Sequence, residues 1–288
     1  MAIIAPPAQQ KKGMKIGDIL PRGLFANRTV FITGGGSGIN LGIARNFAAL
    51  GANVAVCSRD QAKLDRAAES LRELGDGKTL PVSADVRDPA AVAAALSASE
   101  QALGPADVIV SGAAGNFICE AEKLSPNGFK TVVDIDLLGS FNVARNGLEQ
   151  LKKTRGSLIF ISAGLAWLPY SHQVHAAAAK AGIDSMMKNL ALEWGRYGIR
   201  ANSIAPGYIG DTEGTSRLAQ GPVLEAVMAS TPLGRLGTSD DVAHAAVFLA
   251  SPLAAFVTGT VVVVDGGHYL EGAALLNAAQ RRLSAQAT

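Results

Sequence analysis

The amino-acid sequence predicts an α/β protein in which a doubly wound, seven-stranded parallel sheet carries helices on both faces. Seven short apolar runs rich in β-branched residues alternate with Ala-rich segments of helical periodicity. A glycine-rich turn follows the first run and precedes a helical segment, as at the start of a βαβ unit. The 288 residues, 48% of them hydrophobic, suffice to bury the core that such a sheet needs.

The seven apolar runs are short and lack a polar face, which is typical of strands buried on both sides. In chain order they are TVFIT (29–33), NVAVC (53–57), TLPVSA (79–84), DVIVS (107–111), SLIFIS (157–162), IRANSIA (199–205) and TVVVVD (260–265). The helical segments between them include Gly42 to Leu50, Gln61 to Leu74, Pro89 to Leu103 and Ala176 to Trp194. We expect these helices to cover the two faces of the sheet.

Composition shifts mark the ends of the folded unit. Residues 1–26 contain three prolines and a KKGMK cluster, and they predict an N-terminal extension. Residues 271–288 predict a polar C-terminal tail. The remaining residues, 27–270, predict one domain with a single-domain Rossmann fold.

Charge and cysteine content exclude several classes of protein. The 26 Lys and Arg residues against 24 Asp and Glu give a net charge of +2, which argues against a nucleic-acid partner. Two cysteines, Cys57 and Cys119, without a CxxC pair or a nearby histidine, predict no metal site and favour the cytoplasm. No apolar run approaches the roughly 18 to 20 residues that cross a bilayer. The first residues lack the pattern of a secretory signal, and the final AQAT is not a peroxisomal SKL-like signal.

The segment TGGGSGI (33–39) connects the first predicted strand to the helix after it. Glycines without a Cβ allow a tight turn and a close approach of the backbone to a pyrophosphate, and the N-terminus of a helix binds anions. The turn therefore predicts a dinucleotide site. The residues expected there are Gly34, Gly36, Ser37, Gly38 and Ile39. The alternative is an ordinary flexible turn.

The end of the second strand predicts which dinucleotide binds. An acidic residue there would accept hydrogen bonds from a free ribose 2′-hydroxyl, but the sequence continues Ser58-Arg59. A guanidinium can bind a 2′-phosphate through two hydrogen bonds, so we expect NADP(H) rather than NAD(H). The alternative, a solvated Arg59 at the start of a helix, stays open because Asp60 follows it.

Taken together, these motifs resemble the short-chain dehydrogenases/reductases over nearly the whole chain, from Gly23 to about Gly267. The matching segments are TGGGSGI, ADV (84–86), AAG (113–115), Lys180, IRANSIAPG (199–207) and DGG (265–267). The resemblance implies further cofactor contacts at Asp85, Val86, Ala113, Ala114, Gly115, Lys180, Pro206, Gly207 and Ile209, with ADV beside the adenine. It also implies a homotetramer, in which TVVVVDGG lies near a subunit contact.

Within that family the chain resembles the 2,4-dienoyl-CoA reductases most, especially the peroxisomal type. The segments that carry this narrower resemblance are AAGNF (113–117), DID (134–136), HQVHAAAAK (172–180), LALEWG (190–195) and TEG (212–214). The resemblance implies NADPH-dependent reduction of a 2,4-dienoyl-CoA, or of a related enoyl thioester, in the breakdown of unsaturated fatty acids. The residues expected at the acyl-CoA substrate are Asn116, Phe117 and Thr212 from these segments, and Tyr170 from the neighbouring WLPY.

Four positions depart from the family's pattern. With Lys180 in the lysine place of Tyr-x-x-x-Lys, the tyrosine place is Ala176, and the family's active-site serine corresponds to Ala163. The active-site asparagine corresponds to Asp136, and the third glycine of the turn to Asn40. Many turns accept asparagine at unusual dihedral angles.

The missing tyrosine favours one reaction over another. Reduction of a ketone puts hydride on the carbon that bears the oxygen, so a proton donor must stand beside that oxygen. Reduction of a conjugated thioester puts hydride at the far end of the diene and negative charge on a remote oxygen, so the tyrosine place can be apolar. On this hypothesis Lys180 binds the nicotinamide ribose and stabilises the developing charge. Asp136 orients Lys180 or a water that protonates the α-carbon, and Asn116 donates to the thioester oxygen.

Other interpretations stay open at this point. Asp136 could be only a salt-bridge partner, and Asn116 only a turn residue. A carbonyl reductase could use Tyr170 or a histidine, His172 or His175, as its acid. The chain could also be a pseudoenzyme that binds NADP(H) and acts through the surface of its oligomer.

Overall fold

The computed structural model describes residues 15–212, 214–215 and 221–273, and seven strands lie within them. The strands are β1 Thr29–Thr33, β2 Asn53–Ser58, β3 Thr79–Ser83, β4 Ala106–Ser111, β5 Ser157–Ile161, β6 Arg200–Pro206 and β7 Val261–Val264. They form one parallel sheet in the order β3-β2-β1-β4-β5-β6-β7, as predicted. Because the strand order reverses between β1 and β4, the carboxyl ends of these strands open a crevice, where such sheets usually bind ligands.

Helices follow most of the strands. Within the described residues they are α1 Ile16–Ile19, α2 Gly38–Ala49, α3 Gln61–Arg72, α4 Pro89–Leu103, α5 Pro126–Val133, α6 Gly139–Thr154, α7 Val174–Trp194, α8 Pro222–Ser230 and α9 Ser239–Ala250. A five-residue π-helical turn, Asp134–Leu138, joins α5 to α6. The helices α5, α6, α8 and α9 were not among those predicted.

Several helices begin at side chains that cap them. Asp60, Asp88 and Ser125 accept hydrogen bonds from backbone N–H groups in the first turns of α3, α4 and α5. Thr238 and Asp241 form a reciprocal capping box at α9. Such capping residues can be recognised in a sequence without apolar periodicity. The helices α5 and α9 could therefore have been predicted from Ser125 and from the pair Thr238 and Asp241.

Alternate residues of each strand point to opposite faces of the sheet, and each face has its own apolar core. On one face, Val30 and Ile32 pack with buried residues of α2, α3 and α9. On the other face, Phe31 packs with α4, α6 and α7. Helices therefore cover both faces, which confirms the predicted doubly wound arrangement.

The described part of the predicted N-terminal extension contacts the core. Ile16 in α1 and Phe25 are 6% and 4% exposed. The Phe25 ring packs edge-on against Phe47 of α2, with ring centroids 4.9 Å apart. Residues 1–14 and 274–288, which hold most of the predicted extension and tail, lie outside the described residues. We keep 27–270 as the proposed domain, with residues 15–26 packed onto it.

No helix among the described residues combines the length and apolar character needed to cross a membrane. The same residues bring no group of three or more His, Cys, Asp or Glu side chains together as ligands for a metal ion. Cys57 is buried and Cys119 is half-buried, and both are free.

The packing of α2 against α9 holds the glycine turn in place. Gly34 and Gly38 have φ angles of +70° and +56°, which residues with a side chain rarely adopt. The helix α2 begins at Gly38, directly after the turn, and so earlier than the predicted start at Gly42. A Cβ on Gly42 would lie only 2.4 Å from the Cβ of Ser239 at the start of α9. This close approach between α2 and α9 fixes the position of α2, whose N-terminus faces the crevice.

Gly42→Ala should therefore destabilise the protein, because the added methyl group would push α2 away from α9. We expect the free energy of unfolding to fall by about 1–3 kcal/mol, measured from urea denaturation. Gly195→Ala is the matched control, since a Cβ there would meet no atom within 4 Å. A Gly42→Ala protein as stable as its parent would contradict the packing of these two helices.

Candidate active site

A cleft of about 650 Å³ opens at the carboxyl ends of β1, β2 and β4, and we call it the glycine cleft. The predicted cofactor residues in its wall are Gly34, Gly36, Ser37, Ser58, Arg59, Asp85, Val86, Ala113 and Ala114. They come from the glycine turn, the end of β2 and the loops after β3 and β4. Segments that are distant in the sequence thus meet in one place, as the motifs predicted.

Asn40 stands in place of the third glycine of the turn, and its side chain has room because the neighbouring residue 112 is a glycine. The Nδ2 atom of Asn40 donates to the carbonyl of Gly112 at 2.8 Å, across the ends of β1 and β4. A Cβ on Gly112 would lie 2.1 Å from the Oδ1 atom of Asn40. That Oδ1 atom is buried and has no hydrogen-bond partner in the part of the chain that the structure describes. A bound donor in the glycine cleft can satisfy it.

Two cations lie near the end of β2. Arg59 and Lys63 both line the glycine cleft, and Lys63 was not predicted. Neither side chain has an ion-pair partner among the described residues. The neighbouring Asp60 instead caps α3 by accepting from the Lys63 N–H at 3.0 Å. This wall of the cleft is positive, which suits a phosphate better than a ribose hydroxyl.

Asp85, expected beside the adenine, is held by a neighbouring arginine. Its carboxylate accepts from the Nε atom of Arg87 at 3.0 Å and from the Nη2 atom at 2.5 Å. The Arg87 guanidinium lowers the pKa of Asp85. The carboxylate is therefore ionised and fixed at neutral pH.

A second cavity of about 210 Å³ contains Lys180, and we call it the lysine cavity. The predicted residues in its wall are Ile39, Asn116, Tyr170, Lys180, Pro206, Gly207, Ile209 and Thr212. Ser37 and Asn40 line the glycine cleft and Ile39 lines the lysine cavity, so the two cavities adjoin at the glycine turn, while Gly38, also predicted at the cofactor, lines neither. Glu213, in the TEG segment, lies outside the described residues.

Lys180 is fixed at the wall of this cavity. Its side chain is 10% exposed, and its Nζ atom donates to the carbonyl of Ile161 at 2.9 Å. The Nζ atom also lies 3.1 Å from the Oδ2 atom of Asp136. An ammonium group has three N–H donors, so these two contacts leave one for a ligand.

Asp136 lies behind Lys180 rather than in the wall of the lysine cavity. It is 1% exposed and sits in the π-helical turn between α5 and α6. Its Oδ1 atom accepts from the backbone N–H of Gly115 at 2.7 Å. The predicted residue Gly115 thus binds Asp136 and does not line either cavity. The turn places the carboxylate where it can orient Lys180 and pin the loop after β4.

The place of the family's tyrosine is apolar. Ala176, which is 2% exposed, and Ala163 both line the lysine cavity. Tyr170 lies in the same wall, but burial, with Tyr208 and Asp265 nearby, raises the pKa of Tyr170 to about 12. A phenol with so high a pKa is a weak proton donor at neutral pH. The wall next to Lys180 therefore lacks the acid that carbonyl reduction needs.

The loop after β4 is tied to the start of α7. Asn116 lines the lysine cavity, and its Nδ2 atom donates to the Oε1 atom of Gln173 at 2.7 Å. The ring of Phe117 packs on His175, with centroids 4.4 Å apart. Phe117, predicted at the substrate, is 40% exposed and lines neither cavity, because this contact turns it away. His172 and His175 also lie outside both walls, and burial lowers the pKa of His175.

Several residues of the lysine cavity were missed by the sequence reasoning. Tyr208, Asp265, His268 and Tyr269 line it, from the segments that follow β6 and β7. The only signal for them in the sequence was the DGG motif, which pointed to a subunit contact rather than to this cavity. Lys63 in the glycine cleft had a clearer signal, since it lies one helical turn after Arg59.

Comparisons with known proteins match most of the chain. Residues 34–269 match a family model described as Enoyl-(Acyl carrier protein) reductase. The chain is 45% identical over 247 residues to a peroxisomal 2,4-dienoyl-CoA reductase, (3E)-enoyl-CoA-producing, of Saccharomyces cerevisiae, covering 85% of each chain. It is 45% identical over 250 residues to the protein of that description from Rattus norvegicus, covering 86% of this chain and 85% of the relative. A crystal structure of a short chain dehydrogenase from Bacillus anthracis superposes with a TM-score of 0.76 at 38% identity, covering 84% of this chain and 97% of that one.

Proposed function

The chain belongs to the short-chain dehydrogenase/reductase family, whose members are oxidoreductases, and on this premise we propose that it is an NADPH-dependent 2,4-dienoyl-CoA reductase. The observation that carries the proposal is the lysine cavity. A buried Lys180–Asp136 pair faces a wall in which Ala163 and Ala176 take the places of the family's serine and tyrosine. Such a wall can stabilise negative charge on a substrate but has no phenol beside Lys180 to protonate a carbonyl oxygen.

NADP(H) fits the glycine cleft. The N-terminus of α2 and the side-chain-free Gly34 suit the pyrophosphate. Arg59 and Lys63 suit the 2′-phosphate, and Lys180 retains one N–H donor for the nicotinamide ribose. Bound NADPH supplies the hydride.

The protein's own residues stabilise the negative charge that develops on the substrate. In a dienoyl thioester reduced at the δ-carbon, this charge spreads to the thioester oxygen. Lys180 stabilises this charge, and the side-chain amide of Asn116 donates a hydrogen bond to the thioester oxygen. Since Asp136 is 1% exposed and lies behind Lys180, its role is to orient Lys180 rather than to hold a water against the substrate. Protonation at the α-carbon then leaves a 3-enoyl product, the kind named for the yeast and rat relatives.

We also propose a homotetramer that acts in fatty-acid breakdown. Leu192, Leu253 and Phe256 are 83%, 75% and 103% exposed, and large exposed apolar side chains mark protein contacts. Further copies of the same chain are the proposed partners. Light scattering of the purified protein measures the molar mass and so tests this oligomeric state.

The cytoplasm remains the proposed compartment because both cysteines are free, whereas the yeast and rat relatives are named peroxisomal.

The test of the reaction mixes purified protein, NADPH and 2,4-hexadienoyl-CoA. We expect both reactants to be consumed with loss of absorbance, and NMR to place the product's double bond at the 3-position. Simple secondary alcohols with NADP⁺ should give no useful turnover, because Ala176 and Ala163 leave no acid at the carbonyl oxygen. Turnover of alcohols without consumption of dienoyl-CoA would favour the carbonyl-reductase alternative. Cofactor binding without any turnover would favour the pseudoenzyme.

Arg59 should determine the choice of cofactor. We expect NADPH to bind at least about tenfold more tightly than NADH, or about 1.4 kcal/mol, because the guanidinium binds the 2′-phosphate. Arg59→Ala should remove most of this preference in fluorescence titrations. Arg66→Ala, on the helix α3 that follows Arg59 but outside the cleft, is the control and should keep this preference. Equal affinities of the parent protein for the two cofactors would sink the assignment.

Lys180 should carry most of the charge stabilisation. Losing one such group typically lowers turnover by about 10²- to 10³-fold, and we expect this loss in Lys180→Ala. Asp136→Ala should also lower kcat, because Lys180 then keeps only the Ile161 carbonyl as a partner. Both variants should bind the phosphates of NADPH nearly normally, since the glycine cleft is unchanged. Lys188→Ala, two turns further along the same helix, is the control, and a Lys180→Ala enzyme as active as this control would contradict the proposed role.

A further inference from the structure

The proposed reduction needs a proton for the α-carbon, and few groups near Lys180 can give one at neutral pH. Ala176 has no acidic group, and the pKa of Tyr170 is about 12. Asp136 is 1% exposed and outside the cavity wall. One histidine, His268, lies in the described wall of the lysine cavity. Histidine is the side chain that ordinarily changes charge between about pH 5 and pH 8.

The structure holds His268 at the wall through aromatic packing. His268 opens the 3₁₀-helical segment His268–Ala273, after β7. Its ring meets the ring of Tyr208 edge to face, with centroids 5.7 Å apart and planes at 87°. Lys180 lines the same cavity of about 210 Å³. Lys180 and His268 therefore line the same cavity, and both are open to a ligand bound in it.

Hydrogen bonds around Ser230 engage one of the two ring nitrogens of His268. The hydroxyl of Ser230, at the end of α8, donates to the carbonyl of Val227 at 3.1 Å. The Oγ atom of Ser230 also lies 3.1 Å from the Nδ1 atom of His268. Because the hydroxyl has a single hydrogen and donates it to Val227, its oxygen is an acceptor for an Nδ1–H of the imidazole. This contact leaves Nε2 as the ring nitrogen that Ser230 does not engage.

We propose that His268 is the general acid that supplies the α-carbon proton, an inference that rests on the proposed dienoyl-CoA reduction. The imidazolium gives its Nε2 proton to a water in the lysine cavity as that water gives one of its own protons to the α-carbon. The Nε2–H bond and one water O–H bond break, while a new O–H bond and the α-carbon C–H bond form. The neutral imidazole regains a proton from solvent before the next turnover. Until transfer, its positive charge also stabilises the dienolate.

The surroundings of His268 leave its proton available. Asp265 uses its two carboxylate oxygens on the backbone N–H groups of Gly267 and Tyr269, each at 2.8 Å. The titratable groups on the elements around His268 are Tyr170, Tyr208, Tyr269, Asp265, Glu225 on α8, Glu271 in its own segment, and Lys180 across the cavity. Within the described residues neither Asp265 nor Glu225 forms an ion pair with His268.

His268→Phe is the sharpest test, because phenylalanine keeps the edge-to-face contact with Tyr208 but has no proton to give. With 2,4-hexadienoyl-CoA we expect kcat to fall about 10²-fold, the usual size of a general-acid effect. KM and the Kd of NADPH should stay within about twofold, because the loss falls on a step after binding. The solvent isotope effect in D₂O should rise, since protonation becomes the slowest step. His172→Asn is the control, as this histidine lies outside both cavities.

The pH profile gives a second readout. The kcat of the parent enzyme should fall as the pH rises, because a neutral imidazole has no proton to give, and the residual activity of His268→Phe should not show this fall. Ser230→Ala, which removes the acceptor for Nδ1, should give a smaller loss, and His268→Gln repeats the test if phenylalanine disturbs folding. A His268→Phe enzyme with the parent's kcat and pH profile would overturn the role of His268 while leaving the dienoyl-CoA assignment intact. Failure of the parent protein itself to consume dienoyl-CoA would overturn both, and the parent assay alone identifies that result.

Discussion

The ion pair between Lys180 and Asp136 is the constraint on which the site depends. A buried charge is costly unless it is paired and its remaining hydrogen-bonding groups are satisfied. The protein meets this condition with the carbonyl of Ile161 for the ammonium and the N–H of Gly115 for the carboxylate. These partners belong to the end of β5 and the loop after β4, while the pair itself joins α7 to the π-helical turn. Four parts of the chain are thereby held in one arrangement, and the loop that carries Asn116 is fixed relative to the helix that carries Ala176.

Departures from the family pattern are matched by their neighbours in space. Asn40 replaces a glycine of the turn, but its amide fits against Gly112, where any side chain would collide with it. Asp136 replaces an asparagine, and its charge meets that of Lys180. In both cases the replacement forms a contact between two segments and does not merely occupy space. The turn and the lysine site thus keep the shape of the family while their polar groups differ.

Sequence reasoning reached the parts of the structure that local pattern encodes. The seven strands follow from runs of β-branched residues, and the glycine cleft from a turn whose position in the βαβ unit fixes its role. The wall formed by Tyr208 and His268 could not be predicted, because the segments after β6 and β7 meet only once the sheet has formed. The π-helical turn at Asp136 was missed because one inserted residue hardly disturbs helical periodicity. Phe117 stays a predicted substrate residue, but the packing of its ring on His175 could not be predicted, because it is a tertiary contact between a loop and a helix.

The absence of the tyrosine changes the chemistry of the lysine cavity in two ways. With Ala176 and Ala163 beside it, Lys180 faces an apolar surface, and a charge acts more strongly on a substrate when no polar group or water screens it. The same change removes the phenol as a source of protons, so the proton must come from elsewhere. Polar residues also line this cavity, among them Tyr208, Asp265 and His268. Carbonyl reduction needs charge stabilisation and a proton at one oxygen, whereas reduction of a conjugated thioester needs them at separate atoms. A cavity that is lined by a cation and by separate titratable groups suits the second reaction, which is the one proposed here.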